Sequence, residues 1–502
     1  MGASDKLITP FTKQCFVTAG VSLNMAGSGL VMGFTTGLLQ QLEDPESPIP
    51  IDISSGSWIA AIPGISLIIG NFMAPSIMGR YGRKNANILS ILPLITGWTL
   101  IYFAKSFSVL FLARFLQGIS MGMCTSLGSL LIGEYTSPRN RGTFLMTISV
   151  SIAAAVLSVH TLGSYLTWQN TALICGIIAM LDMCIVVNSP ESPGWLAAKG
   201  KYEGCETSFR WLRGDKENEE LNKMIEASMV MRKEKVSTKS MPFVEKIRSK
   251  IDYIKIAFGK KEFCKPILIM IHIFTLSQCN GINVLVAFPI DLFKIVVGPD
   301  ANMPILMMSI DGHRIIANTL ALLVIRKFRR RTLLFTTVSL NILALLAIAG
   351  YSLAIQYSLI LASDYKAVGI FLVHVHMFSV ATGSLPFSFI LAGEIFPLQY
   401  RSLAGVSVLF YSLFIFITVK TAPILLSSIG LHGTYLIYAS IMVYCLVVVY
   451  FQLPETKDRT LQDIEDEFRG RPLSSEELKS IQSLTSWKEI SSDRRCSTPI
   501  VL

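Results

Sequence analysis

Glu134-Tyr-Thr-Ser-Pro-Arg-Asn-Arg-Gly142 separates two long apolar runs, and Glu394-Ile-Phe-Pro-Leu-Gln-Tyr-Arg401 repeats its grammar much later in the chain. Each has a carboxylate, a proline three or four residues on, and an arginine seven residues after the carboxylate. Two other charged stretches recur in the same order. Gly79-Arg-Tyr-Gly-Arg-Lys84 is answered by Arg326-Lys-Phe-Arg-Arg-Arg331, and Pro190-Glu-Ser-Pro193 by Pro454-Glu-Thr456. The offsets are 247 (79 to 326), 260 (134 to 394) and 264 (190 to 454), each about half of the 502 residues. Ordered recurrence at half-length indicates a duplicated unit, the usual construction of membrane transporters.

Composition agrees. The chain is 51% hydrophobic and 16% charged, against about 25% charged in soluble domains. Apolar runs such as 59–78 and 431–453 are long enough to cross roughly 30 Å of hydrocarbon. The expectation is an all-α polytopic membrane protein of twelve transmembrane helices in two pseudo-symmetric six-helix halves. The spans fall near 15–40, 56–78, 85–104, 108–132, 143–167, 170–188, 265–292, 302–325, 333–355, 367–393, 402–428 and 431–452. The net charge of +10 lies in loops between apolar runs. It therefore marks the cytoplasmic side and gives no basic face for nucleic acid. With an even span number, both termini are expected there, in the plasma membrane. The lipid bilayer and a small solute are the expected partners; oligomeric state is left open.

The expected organisation is a cytoplasmic N-terminus (1–13), a first half (14–189), a central cytoplasmic loop (190–262), a second half (263–453) and a tail (454–502), disordered after 470. Trp195, Leu196, Phe209, Trp211 and Leu212 recur at amphipathic spacing within dense mixed charge, so the central loop reads as short surface helices. The tail carries Arg494-Arg-Cys-Ser497, a basophilic phosphosite pattern, and ends Ile500-Val-Leu502, an edge-strand ligand pattern; a solvated tail is the plainer reading. Six of nine cysteines (Cys15, Cys124, Cys175, Cys184, Cys279, Cys445) lie in apolar runs. They read as buried hydrophobes, with neither a disulfide framework nor a metal site, and no cofactor is expected.

Taken together, Glu134–Gly142, Pro190-Glu-Ser-Pro-Gly-Trp-Leu196 and Pro454-Glu-Thr-Lys-Asp-Arg-Thr-Leu461, placed after spans four, six and twelve, resemble the sugar porter family of the major facilitator superfamily. The chain is most similar to the insect trehalose and glucose branch of that family, over roughly 14–470. The resemblance implies facilitated transport of trehalose or a hexose by alternating access. A non-sugar polar or anionic solute, or a non-transporting nutrient receptor on the same scaffold, are the competing readings. An enzyme is excluded: Gly118-Ile-Ser-Met-Gly122 matches a nucleophile-elbow pattern but lies inside an apolar helix, where small residues permit close packing.

Glu134 and Glu394 with Arg83, Arg141, Arg330, Arg331 and Arg401 are the candidates for ion pairs that latch the two halves when the cytoplasmic side closes. Loop arginines can also simply hold topology. Compared with the family pattern, Gly79 and Arg326 stand where acids are usual and Gly194 where an arginine is, so a weaker second latch is expected. For substrate, the resemblance points to Ser277, Gln278 and Asn283 in span seven, Ser149 in span five, Arg314 in span eight, Phe389 in span ten (aligned on Glu394, or Phe387 if aligned on Pro386) and Ser412 in span eleven. Asn280 adds an amide, and Gly281 can loosen the helix beside it. Arg314 is a charge within a span; Asp311, three residues earlier, offers an ion pair, and solute contact is the other reading. Proton-coupled relatives carry a span-one acid opposite the span-four arginine, here Arg114; Thr35 takes that place, which argues for a uniporter. Asp182 is expected to pair with Arg114 or face water. His160, His272, His374 and His376 read mainly as hydrogen-bonded structural residues.

Overall fold

The computed structural model describes residues 9–214, most of 217–229, 259, 261–395, 405–457, 459 and 461–470. The side chains of Arg141, Arg326, Phe389 and Glu394, the whole of Arg401, and the tail motifs lie outside the described residues. Six long helices form the first half: α1 (Pro10–Leu42), α2 (Ile53–Tyr81), α3 (Arg83–Tyr102), α4 (Phe107–Tyr135), α5 (Pro138–Tyr165) and α6 (Trp168–Asn188). Two short helices follow, α7 (Pro193–Ala198) and α8 (Tyr202–Arg213). The second half comprises α9 (Lys261–Gln278), α10 (Ile282–Ala287), α11 (Pro289–Val296), α12 (Met303–Lys327), α13 (Arg330–Gln356), α14 (Lys366–Thr382), α15 (Ser384–Glu394) and α16 (Gly405–Gln452). A last amphipathic helix, α17 (Leu461–Arg469), packs on α9 through Ile464 and Phe468.

Four local breaks account for the twelve spans. Gly430, at φ 72° and ψ 178°, divides α16 into two. Gly383 interrupts the tenth span between α14 and α15. Span seven is interrupted twice, at 279–281 and at Phe288. Among the described residues nine helical stretches, one of them running through α14 and α15, are long and apolar enough to cross a bilayer, and the chain is an integral membrane protein.

Small residues set the tightest helix contact. Gly118 and Gly122 of α4 face Gly70 and the carbonyls of Pro63 and Leu67 on α2, and a Cβ at either α4 glycine would overlap those backbone oxygens. The helix interior thus suits close packing and offers no strand-to-helix turn for a nucleophile.

Helix α8 docks on the first half. Phe209 and Leu212 are fully buried, the Gln14 amide donates to the Leu212 carbonyl (3.1 Å), and Arg213 donates to the Thr136 carbonyl (2.8 Å). Among the cysteines of the apolar runs, Cys124, Cys175, Cys279 and Cys445 are buried, Cys15 is half-buried, and Cys184 is exposed. The expectation that all six are buried therefore fails at Cys184, because α6 is an outer helix.

Gly122→Ile should force α2 and α4 apart and cost at least about 1–3 kcal/mol by overpacking. Thermal unfolding of detergent-purified protein should fall for Gly122→Ile and stay level for Gly133→Ala, where no atom stands within 4 Å of an added Cβ.

Candidate functional site

The halves meet along α2–α16, α5–α12 and α1–α10, mainly toward the end of the bundle opposite the basic loops. Among the described residues, the side chains of Thr36, His160, Lys420 and Asn71 make polar contacts across them there or at mid-depth. Thr36 donates to the Val286 carbonyl (2.8 Å), and His160 Nδ1 lies 2.6 Å from Asp311 Oδ2. Lys420 Nζ donates to Ser57 Oγ (2.6 Å) and stands 4.3 Å above the Trp58 ring. Nearer the middle, the Asn71 amide donates to Ser412 Oγ (3.4 Å), while Ser412 itself donates to Val408 O (3.0 Å). At Gly64 the α2 backbone touches that of Phe416. No local pattern signals Lys420, the one charge in its apolar run, or the His160–Asp311 partnership across 151 residues.

Between the halves lies a cavity of about 30 Å³, bordered by Thr35, Arg114, Met121, Asn283, Val286 and Ile415 among others. That volume holds a water or two, not a sugar, so the halves must separate for a sugar-sized solute to occupy it. Arg114 is fully buried and engages four of its five N–H donors: it donates to Thr35 Oγ1 (2.7 Å), Val31 O (2.8 Å), Gln117 Oε1 (3.0 Å) and Ile59 O (3.3 Å). Thr35 occupies the place of the missing acid, and none of these acceptors titrates. Asp182 does not pair with Arg114 and does not face water; it is 1% exposed with both oxygens lacking a hydrogen-bond partner.

Behind Asn283 runs a chain of amides. Asn283 Nδ2 donates to Gln278 Oε1 (3.0 Å) and Thr418 Oγ1 (2.7 Å). Gln278 Nε2 donates to Ser277 Oγ (3.4 Å), and the Tyr411 hydroxyl bonds to Gln278 on its other side. Ser277 donates to the Phe274 carbonyl (2.9 Å). Asn280 stands apart. Its amide donates to Ser384 Oγ (2.6 Å), its side-chain oxygen accepts from Ile282 N (2.9 Å), and its carbonyl meets His376 Nε2 at 2.6 Å. These bonds spend Asn280 on clamping α14 and α15 to the break in span seven. Gly281 makes that break, at φ 84°, and the carbonyl it frees goes to His376, not to the cavity. Ser149 is exposed, 11 residues before His160 and so about three turns along the same face of α5.

Arg314 is 9% exposed, and its Nε and Nη1 have no hydrogen-bond partner. The expected ion pair with Asp311 is not formed, because Asp311 bonds His160 instead. The other histidines are hydrogen-bonded: His272 to Leu268 O (2.7 Å), His374 to Ile370 O (2.9 Å) and Ser309 (3.0 Å). Among the described residues no group of three metal-ligating side chains occurs.

At the basic end, Arg83 grips Glu134 through Nε (3.1 and 3.2 Å) and Nη2 (3.0 Å), and Ser192 Oγ donates to the same carboxylate. Both residues belong to the first half, so here the pair ties α3 to α4 and does not bridge the halves. Arg330 and Arg331 also meet a carboxylate, through their backbone. Glu455 accepts from Arg330 N (3.0 Å) and Arg331 N (3.2 Å), as Glu191 accepts from Arg83 N (2.8 Å) and Lys84 N (3.1 Å). Each carboxylate caps a helix N-terminus, α13 or α3, where free N–H groups and the helix dipole favour an anion. The Arg331 guanidinium donates to Tyr450 O (2.9 Å).

Partial burial pushes the Glu455 carboxyl up, but its backbone hydrogen bonds outweigh this and hold it below the usual carboxylate range. A depressed group stabilises the fold above its unfolded value and loses that stability as pH falls through the folded value. Acidification below about pH 4.5 should therefore lower the melting temperature of the wild type more than that of Glu455→Gln. Parallel acid limbs for the two proteins would contradict the cap.

The sequence profile of the family described as "Sugar (and other) transporter" matches residues 24–468. The chain is 25% identical over 465 residues to the facilitated trehalose transporter of Apis mellifera ligustica, covering 92% of this chain and 89% of the relative. To the Culex quinquefasciatus protein of that name it is 26% identical over 490 residues, covering 95% and 90%. Its fold is similar to the inward-open conformation of the E. coli xylose transporter XylE, with a TM-score of 0.69 at 19% identity over 90% of this chain and 99% of that one.

Proposed function

The chain belongs to the sugar (and other) transporter family, and from that premise we propose that it is a facilitative uniporter carrying a sugar, trehalose or a hexose such as glucose, by alternating access. The observation that carries this reading is the cavity between the halves where Asn283 meets Thr35 and Arg114. Amides present both donors and acceptors to sugar hydroxyls. Asn283 and Gln278 now satisfy one another, and a sugar would take over those bonds once the halves part. Ser412, Ser149 and Phe389 are the further candidate contacts, and Ser277 positions Gln278. The Arg114 environment supports uniport, since Thr35 and its neighbours offer no proton to carry.

With the basic loops assigned to the cytoplasm, both termini lie inside, the membrane is the plasma membrane, and the structure is inward-facing. Thr36–Val286, His160–Asp311 and Lys420–Ser57 then seal the outside. Glu134 and Glu394 with Arg83, Arg141, Arg330, Arg331 and Arg401 remain the candidates for ion pairs that form between the halves when the inside closes.

In cells expressing the full chain at the surface, zero-trans uptake of labelled trehalose or glucose should saturate, equilibrate without accumulation and be indifferent to a protonophore. Asn283→Ala should lower kcat/KM about tenfold, the worth of one or two lost hydrogen bonds. Surface delivery without saturable uptake of either sugar would remove this assignment.

A further inference from the structure

Arg314 is not bonded to the carboxylate that its own helix offers. On α12, its interior neighbour Asp311 is 3% exposed and engaged by His160 Nδ1 at 2.6 Å. The other ring nitrogen of His160 lies 3.2 Å from the Val286 carbonyl and 3.4 Å from Thr36 Oγ1. Thr36 has one hydroxyl hydrogen, directed at Val286 O at 2.8 Å. Both imidazole nitrogens of His160 are thus engaged, one of them by the Asp311 carboxylate from the other half. Asp311 is held by His160, and the Arg314 guanidinium keeps two nitrogens, Nε and Nη1, without a hydrogen-bond partner. The titratable groups acting on it are Asp311 and Tyr411, and a phenol is neutral.

A buried guanidinium with two idle nitrogens is costly unless some state of the protein pairs it. Its position suggests which state. Tyr411, which faces Arg314, is hydrogen-bonded to Gln278, and Gln278 to Asn283. The guanidinium thus stands at the far end of the amide chain from the cavity. It is also on the helix that parts from α5 when the His160–Asp311 contact opens.

We propose that Arg314 pairs with an anionic substituent of the transported solute, so that the preferred cargo is a sugar bearing one carboxylate or phosphate group. This rests on the alternating-access transport reading above and departs from it in the charge of the cargo. The planar guanidinium suits a two-oxygen acceptor, while the amides of Gln278 and Asn283 take hydroxyls of the same ring. A neutral sugar would fill the amide end and leave Arg314 unpaired.

The test uses the full chain in proteoliposomes with labelled D-glucuronate, D-glucose 6-phosphate and D-glucose, for the wild type, Arg314→Gln and Arg314→Lys. The wild type should favour one of the two anionic sugars over glucose, and which one identifies carboxylate or phosphate as the group read. Arg314→Gln should reduce the anionic-to-neutral ratio of kcat/KM by about tenfold or more, the worth of a charge-assisted hydrogen bond. Arg314→Lys should recover part of it. Equal ratios in wild type and Arg314→Gln would overturn the proposal.

Thermal unfolding of the same detergent-purified proteins separates this from failure of transport itself. If no sugar crosses with the wild type, the uniport reading falls. A glucuronate or glucose 6-phosphate shift in melting temperature that Arg314→Gln abolishes would still support the anion site. Absence of any such shift in the folded wild type would overturn it.

Discussion

Hydrocarbon supplies no hydrogen-bond partner, so each charge or freed backbone group inside this bundle must find one within the chain or in what the chain carries. Arg114 finds four acceptors on α1, α2 and α4 and becomes part of the scaffold of the first half. The carbonyl freed at Gly281 finds His376, which fixes the broken seventh span against α14. Asp311 finds its partner across the interface, in His160 of the other half. Groups satisfied within one half hold that half rigid. Groups satisfied between halves hold a conformation, and they are released when the conformation changes.

This division explains where the molecule can move. At the basic end, Glu191 and Glu455 cap α3 and α13 in matching fashion, and Arg83–Glu134 binds α3 to α4. All of these bonds lie within a half and survive a rocking motion. At the other end, Thr36, Lys420 and His160 reach across, so opening that end means breaking three polar contacts and prising Gly64 from Phe416. The two ends therefore differ in the kind of bond they hold, and that difference makes the bundle a two-state device.

The spans, the half-molecule repeat and the docked surface helices were legible because apolar runs and duplicated charge patterns are local signals. The partners of individual charges were not. Asp311 and Arg314 are three residues apart, and helical spacing alone pairs them, yet His160 from another helix wins the carboxylate. Glu191 and Glu455 announce themselves as repeated motifs, but their role as caps depends on helix N-termini 108 and 125 residues away. Lys420 is a single polar letter in an apolar stretch, visible only once α16 lies against α2. Asn280 looked like one more sugar-binding amide, and the helix break beside it consumed its bonds.

Alternating access predicts that distances at the two ends of the bundle change in opposite senses. Spin labels on a cysteine-depleted background would report this directly, one pair at Tyr165 and Asp300, beyond the sealed end, and another at Arg80 and Phe328, beside the basic loops. All four positions are exposed and their pairs span the two halves. Saturating sugar should broaden or lengthen the first distance distribution while shortening the second. Two distributions that stay fixed, or shift in the same sense, would contradict a bundle that rocks about its midpoint.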